Sequence, residues 1–151
     1  MELQRQGRPI DAVIADLEAK RVHDARWQDG RTFGLVYDGG ADVHAVAERA
    51  AVMYLHENAL NTKAFPSLAS IQNEVVGWTA SLLHGPPTVA GFLTSGGTES
   101  IQCAVLAARE RGRAERGIHA GEIVVAESAH AAFHKSAHLF DMPIRTVPVR
   151  A

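Results

Sequence analysis

The chain has 151 residues, 46 % of them hydrophobic and 21 % charged, with a formal net charge of -2. That is apolar material for one domain of ordinary size, and too little charge imbalance for a nucleic-acid or anionic-membrane surface. A single cysteine, Cys103, excludes an internal disulfide framework and fits a reducing compartment.

The opening Met1-Glu2-Leu3-Gln4-Arg5 lacks a signal peptide's apolar core, so a cytoplasmic location is expected. No apolar stretch approaches the roughly 20 residues of a membrane helix, and no transmembrane segment is expected. Ile10, Val13, Ile14 and Leu17 recur at three- and four-residue spacing and predict an amphipathic helix over 10–22. Across 31–40, Phe33, Leu35, Val36 and Tyr37 precede Asp38-Gly39-Gly40, which predicts an extended piece ending in a turn. A second helix is expected over 42–57. The tract 58–66 mixes asparagine, threonine and proline without periodicity and reads as a loop, so a boundary is placed between 1–62 and 63–151.

Beyond the loop, Ser67 is expected to cap a helix reaching Leu83, with Leu68, Ile71, Val75, Trp78 and Leu82 on one face. The apolar run Val89 to Leu93 predicts a buried strand, and a long alanine-rich helix over 99–116 ends near Gly117. A strand over 123–126, a helix over 131–139 and a strand over 144–149 complete the pattern. The alternation predicts the α/β class, a βαβαβ parallel sheet preceded by helices. Three strands with one bare face make a poor stopping place, so the chain is expected to be cut short at Ala151.

Two segments carry chemistry. Ser95-Gly96-Gly97-Thr98 lies between a predicted strand and a predicted helix, where small residues permit a tight turn and first-turn amides point outward. Such a place favours an anion by about 0.3 to 1 kcal/mol, and the Ser95 and Thr98 hydroxyls can add bonds. The Gly-Lys-Ser/Thr ending of a nucleotide-binding loop is absent, as is the third glycine of a dinucleotide fingerprint. Glu99 is crowded against the supposed anion and has to turn toward a neighbouring backbone or subunit.

The second segment, Ser128 to Lys135, follows the 123–126 strand, so His130 is expected at the same sheet edge as the glycine turn. An imidazole there can stack on a flat ring and still exchange a proton, or it can simply cap the helix. His130, His134 and His138 are spaced by four and raise a metal site as an alternative, but no HExxH pattern completes it, and no metal is assigned.

LTSGGTES at 93–100, IVVAE at 123–127 and SAHAAFHK at 128–135, with NALNTKAFPSLASIQNEVV upstream at 58–76, resemble sphingosine-1-phosphate lyases and their bacterial relatives. These are group II pyridoxal-phosphate-dependent decarboxylases. The resemblance implies the aspartate-aminotransferase-type large domain (fold type I), whose first part would occupy 63–151, and a homodimer contacted through 1–62. It implies pyridoxal 5'-phosphate held by Ser95, Gly96, Gly97 and Thr98, with His130 stacked on the ring as a catalytic residue. It places Asn58 and Asn61 near the substrate or the partner subunit's site.

The implied substrate is a small amine or amino acid, in the lyases a phosphorylated sphingoid base, cleaved between the alpha and beta carbons. Where those lyases usually carry histidine and proline after the Asn-x-Leu loop, this chain has Asn61-Thr62, which keeps an amino-acid decarboxylase open. A non-catalytic phosphate-binding or dimerising relic is a third reading. Lys20, Lys63 and Lys135 are the only lysines, and none stands in the context of the family's Schiff-base lysine. The chain alone is therefore expected to be inactive.

Overall fold

A computed structural model describes residues 5–30 and 32–150, and the chain divides into two compact units, 1–57 and 58–151. Met1 to Gln4, Arg31 and Ala151, which enter the readings of the start, of the 31–40 segment and of the end, lie outside the described residues.

In the first unit, α1 spans Ile10–Lys20 and α2 spans Ala41–Met53, with a single 3-10 turn at Trp27–Asp29 between them. Both helices stop a turn or less short of the expected ends. On α1, Asp16 accepts from Lys20 one turn on and from Arg8 ahead of the helix, each at 3.0 Å. These two cations, Lys20 first, hold its carboxyl below the usual range. The 32–40 segment contains no strand. Gly34 takes a left-handed φ of 71°, and the Asp38 carboxylate accepts the Gly40 amide at 3.0 Å, so the backbone curls on itself instead of pairing.

The second unit runs α3 (Pro66–Leu82), α4 (Gly97–Arg116), β1 (Ile123–Ala126), α5 (Ala132–Leu139) and β2 (Ile144–Val147). Pro66 fills the first position of α3, and Phe65 is the cap without a side-chain bond, so Ser67 lies inside the helix instead of capping it. Proline's fixed φ and missing N–H suit that first position.

All three helices end by the same backbone reversal. A left-handed residue follows the last turn: His84 at φ 54°, Gly117 at 63° and Asp141 at 51°. The next amide then reaches back, Gly85 to the Ala80 carbonyl, Ile118 to Gly112 and Met142 to Ala137. The reversal satisfies carbonyls that a helix end otherwise orphans.

β1 and β2 pair in parallel, with Ile123 opposite Ile144 and Ala126 opposite Val147, and α5 is the crossover between them. The expected third strand is absent. Residues 89–93 include no strand; they lie along α3, where Leu93 N–H donates to the Gln72 side chain at 3.2 Å. An apolar run becomes a strand only beside another backbone edge, and no such edge adjoins it among the described residues.

The packed centre is small. Ala132, Ser136 and Ala137 are the buried residues among those described, and they lie on α5 where it meets α4 and β1. Their short side chains permit close approach. The Ser136 hydroxyl is satisfied within the helix, donating to the Ala132 carbonyl at 2.7 Å.

Arg109 clamps the far end of this contact. Its guanidinium lies 5.2 Å from the Phe140 ring centre and donates to the Phe140 carbonyl at 3.0 Å, tying α4 to the end of α5. Arg109→Ala is expected to lower stability by about 2 to 4 kcal/mol, the sum of one charged hydrogen bond and a partly exposed cation–π contact. A lower urea midpoint at unchanged slope is the measurement.

Across the sheet, Arg145 donates two bonds to the Glu122 carboxylate. The guanidinium holds the Glu122 carboxyl below its usual range and raises its own. A depressed carboxyl contributes stability above its unfolded value and loses it as pH falls through the folded one. Wild type and Glu122→Gln are therefore expected to differ in stability at neutral pH and converge below the ordinary glutamic-acid range, read from unfolding midpoints across a pH series.

Candidate functional site

The Thr94 to Ser100 turn is built largely by its own side chains. On one side, the Thr94 and Ser100 hydroxyls meet at 2.6 Å beside the Gly96 carbonyl, which lies 3.0 Å from Thr94 Oγ1 and 3.3 Å from Ser100 Oγ. On the other side, Glu99 Oε2 accepts both the Ser95 amide, at 2.7 Å, and the Ser95 hydroxyl, at 2.6 Å. The hydroxyl bond first, and the amide bond second, hold the Glu99 carboxyl below its usual range. Glu99 thus turns toward neighbouring backbone, one of the two directions its position allowed.

Between these two clasps lie Gly96, the N-cap of α4, and Gly97, its first residue. Gly96 has φ 162° and ψ 175°, an extended conformation open to any residue, and Gly97 is helical. A methyl group built on either would meet nothing within 4 Å. Neither the backbone nor the chain's own packing demands glycine here. The amides of Gly97, Thr98 and Glu99 also find no acceptor among the described residues. Open space over free first-turn amides fits a bound phosphate group, which needs donors and room for its oxygens.

His130 sits in the turn between β1 and α5. Its Nδ1 accepts the Ala132 amide at 3.1 Å, so the side chain caps the start of α5. In the neutral ring that bond places the proton on Nε2, leaving this nitrogen and the ring face available. His134 and His138 lie on α5 itself and border a shallow depression with Asp141, while His130 lies ahead of the helix. The spacing by four therefore does not put three imidazoles on one helix face. No grouping of three histidine, cysteine or acidic side chains placed to hold a metal occurs among the described residues.

Asn58 and Asn61 shape their loop. Asn58 Oδ1 accepts the Leu60 amide at 3.2 Å, and Asn61 Oδ1 accepts those of Lys63 and Ala64 at 3.1 and 3.3 Å. Both residues are exposed. A cavity of about 650 Å³, bordered by Val105, Ala108, Arg109, Ile123, Val125 and Phe133, lies between α4 and the sheet, away from the glycine turn. Its lining begins at Val105, two turns along α4 from Gly97, so it does not include the glycine turn. The Gln72 bond to Leu93 had no signal in the sequence, because it joins residues 21 apart through a side chain of no special pattern.

No protein-family model matches the chain. Among curated proteins, the sphingosine-1-phosphate lyase of Oryza sativa subsp. japonica is 40 % identical over 145 residues, covering 91 % of this chain and 27 % of that protein. Among solved structures, the Burkholderia pseudomallei K96243 sphingosine-1-phosphate lyase superposes with a TM-score of 0.85 at 36 % identity, over 99 % of this chain and 36 % of that one. A Lactobacillus brevis glutamate decarboxylase matches with a TM-score of 0.76 at 21 % identity, covering 99 % of this chain and 35 % of its own, a likeness of fold alone.

Over nearly its whole length the chain, with its α/β unit and glycine turn, is similar to part of the sphingosine-1-phosphate lyases. It is in that sense sphingosine-1-phosphate lyase-like. The chain spans about a quarter of the length of the curated relatives it matches.

Since the glycines serve no contact of the chain itself, Gly97→Ala is expected to keep or slightly raise stability, by up to about 1 kcal/mol, through a less flexible unfolded chain. The same change should weaken binding of a phosphate-bearing ligand about tenfold by filling the space over the amides, to a degree set by how well the site relaxes. Thermal midpoints beside an equilibrium titration with pyridoxamine 5'-phosphate separate the two effects.

Proposed function

We propose that the chain supplies the phosphate-binding part of a pyridoxal-phosphate-dependent carbon–carbon lyase of the sphingosine-1-phosphate lyase type. The observation that carries the reading is the pair of glycines at the head of α4, open above and flanked by amides without acceptors. Because the chain spans about a quarter of its curated relatives, the activity is assigned to a polypeptide of their length. In that polypeptide, 63–151 forms the first part of a fold type I large domain and 1–62 contacts a second copy in a homodimer, in the cytoplasm. Among the described residues no helix is long and apolar enough to cross a membrane.

Gly96, Gly97 and Thr98 would hold the cofactor phosphate, by backbone amides and the Thr98 hydroxyl, with Ser95 completing the turn. His130 would lie against the ring, its Nδ1 engaged by Ala132 and its Nε2 free to hold or pass a proton. Pyridoxal phosphate, when bound, supplies an electron sink for a bond broken at the alpha carbon of an amine substrate. Lys20, already paired with Asp16, and Lys63 and Lys135 have no assigned part in that chemistry.

Large apolar side chains left on the surface support association with further protein, among them Phe33, Tyr37, Leu60 and Val124. The exposed carboxamides of Asn58 and Asn61 are the groups that loop would offer a partner subunit or substrate. One observation favours a second reading, an amino-acid decarboxylase. Asn61 and Thr62 stand where the lyases usually have histidine and proline, and the Asn61 oxygen is engaged within its own loop.

The test is product analysis in the full polypeptide, supplied with pyridoxal 5'-phosphate. Release of a long-chain aldehyde from a phosphorylated sphingoid base, abolished by His130→Ala, is the expected outcome. Carbon dioxide from an amino acid, without aldehyde, would replace the lyase by the decarboxylase; neither product, with the cofactor bound, would leave a phosphate-binding relic.

A further inference from the structure

We propose that Glu99 is a positioning residue for the phosphate site, acting through Ser95. The inference rests on the reading of Gly96, Gly97 and Thr98 as a phosphate cradle. A carboxylate in the first turn of a helix favours the helix dipole but repels a second anion placed there, so its presence beside a phosphate site calls for a reason. The geometry supplies one.

A glutamate at the third helical position ordinarily reaches back to the amide of the N-cap residue. Glu99 reaches one residue further, past Gly96, to the amide and hydroxyl of Ser95. Two consequences follow from the inventory of donors. The Gly96 amide is left free alongside those of Gly97, Thr98 and Glu99, so none of these donors is taken by the protein's own carboxylate. The single hydroxyl proton of Ser95 is directed at Glu99 Oε2, and its amide is engaged too. Ser95 therefore has no proton to offer a phosphate while this clasp is closed.

Glu99 and Ser95 together fix where the chain enters the helix, and with it the direction of the free amides. The Thr94 and Ser100 hydroxyls hold the same turn from the Gly96 carbonyl side. The carboxylate's own negative charge is partly neutralised by the two donors it accepts, which keeps its lowered protonation and limits its repulsion of a neighbouring anion.

The experiment is an equilibrium titration of the full polypeptide with pyridoxamine 5'-phosphate and, separately, with pyridoxamine, which lacks the phosphate; neither carries an aldehyde that could react with lysines. Glu99→Ala should weaken binding of the phosphorylated probe about tenfold, the scale of one charge-assisted hydrogen bond, and leave pyridoxamine unchanged. Glu99→Gln, whose amide oxygen can accept the same two bonds, should restore most of the loss.

Ser95→Ala, which loses the hydroxyl bond but keeps the amide bond to Glu99, should fall between wild type and Glu99→Ala, and the double variant should be no worse than Glu99→Ala alone. Additive losses would show that Ser95 donates to the phosphate directly and would overturn the proposal. So would unchanged or tighter binding in Glu99→Ala, or an equal loss for both probes. Thr98→Val is the control: if it and Glu99→Ala both leave the phosphorylated probe unaffected, the cradle itself is misassigned, whereas a loss in Thr98→Val alone rejects only the role of Glu99.

Discussion

The second unit depends on one close contact, the face of α5 formed by Ala132, Ser136 and Ala137 where it meets α4 and β1. These are the residues that exclude water among those described. Their small size lets helix and sheet approach without interposed side chains, and the single hydroxyl among them is satisfied inside its own helix. From that contact the positions of the neighbouring turns follow. His130 is two residues ahead of the buried face, and its ring is held there by the Ala132 amide, so the same residue is packed by its methyl and fixes the imidazole by its N–H.

The glycine turn is organised on a different principle, hydrogen bonding in an exposed segment. Four side chains, Thr94, Ser95, Glu99 and Ser100, spend their polar groups on one another and on the backbone of the turn. Local clasps of this kind reduce the conformations open to the backbone before any ligand arrives, which lowers the ordering cost of binding. The free amides at the head of α4 are therefore presented in a fixed direction although nothing covers them.

Much of the remaining surface is apolar. Val124 on β1 and Val147 on β2 are half exposed or more, as are Trp78 and Leu82 on α3. Parallel sheets are ordinarily covered on both faces, and here the helices described leave apolar strand residues open. The apolar content that marked the sequence as globular is thus largely available for further packing.

The sequence by itself determined the helices and the βαβ crossover, because each depends on signals a few residues apart. Helical spacing of apolar residues located α1 and α3 to within a few positions, and an alanine-rich stretch after small turn residues located α4. What only the tertiary structure decided were relations between distant residues or between competing local bonds. Whether 89–93 is a strand depended on a neighbouring edge, and its Leu93 amide went to Gln72 instead. That His130 caps α5 could not be read from spacing, since its Nδ1 needed a particular amide within reach. The partner of Glu99 was left between backbone and subunit because a carboxylate on a first turn can reach several donors, and only the path of the chain through Ser95 selected one.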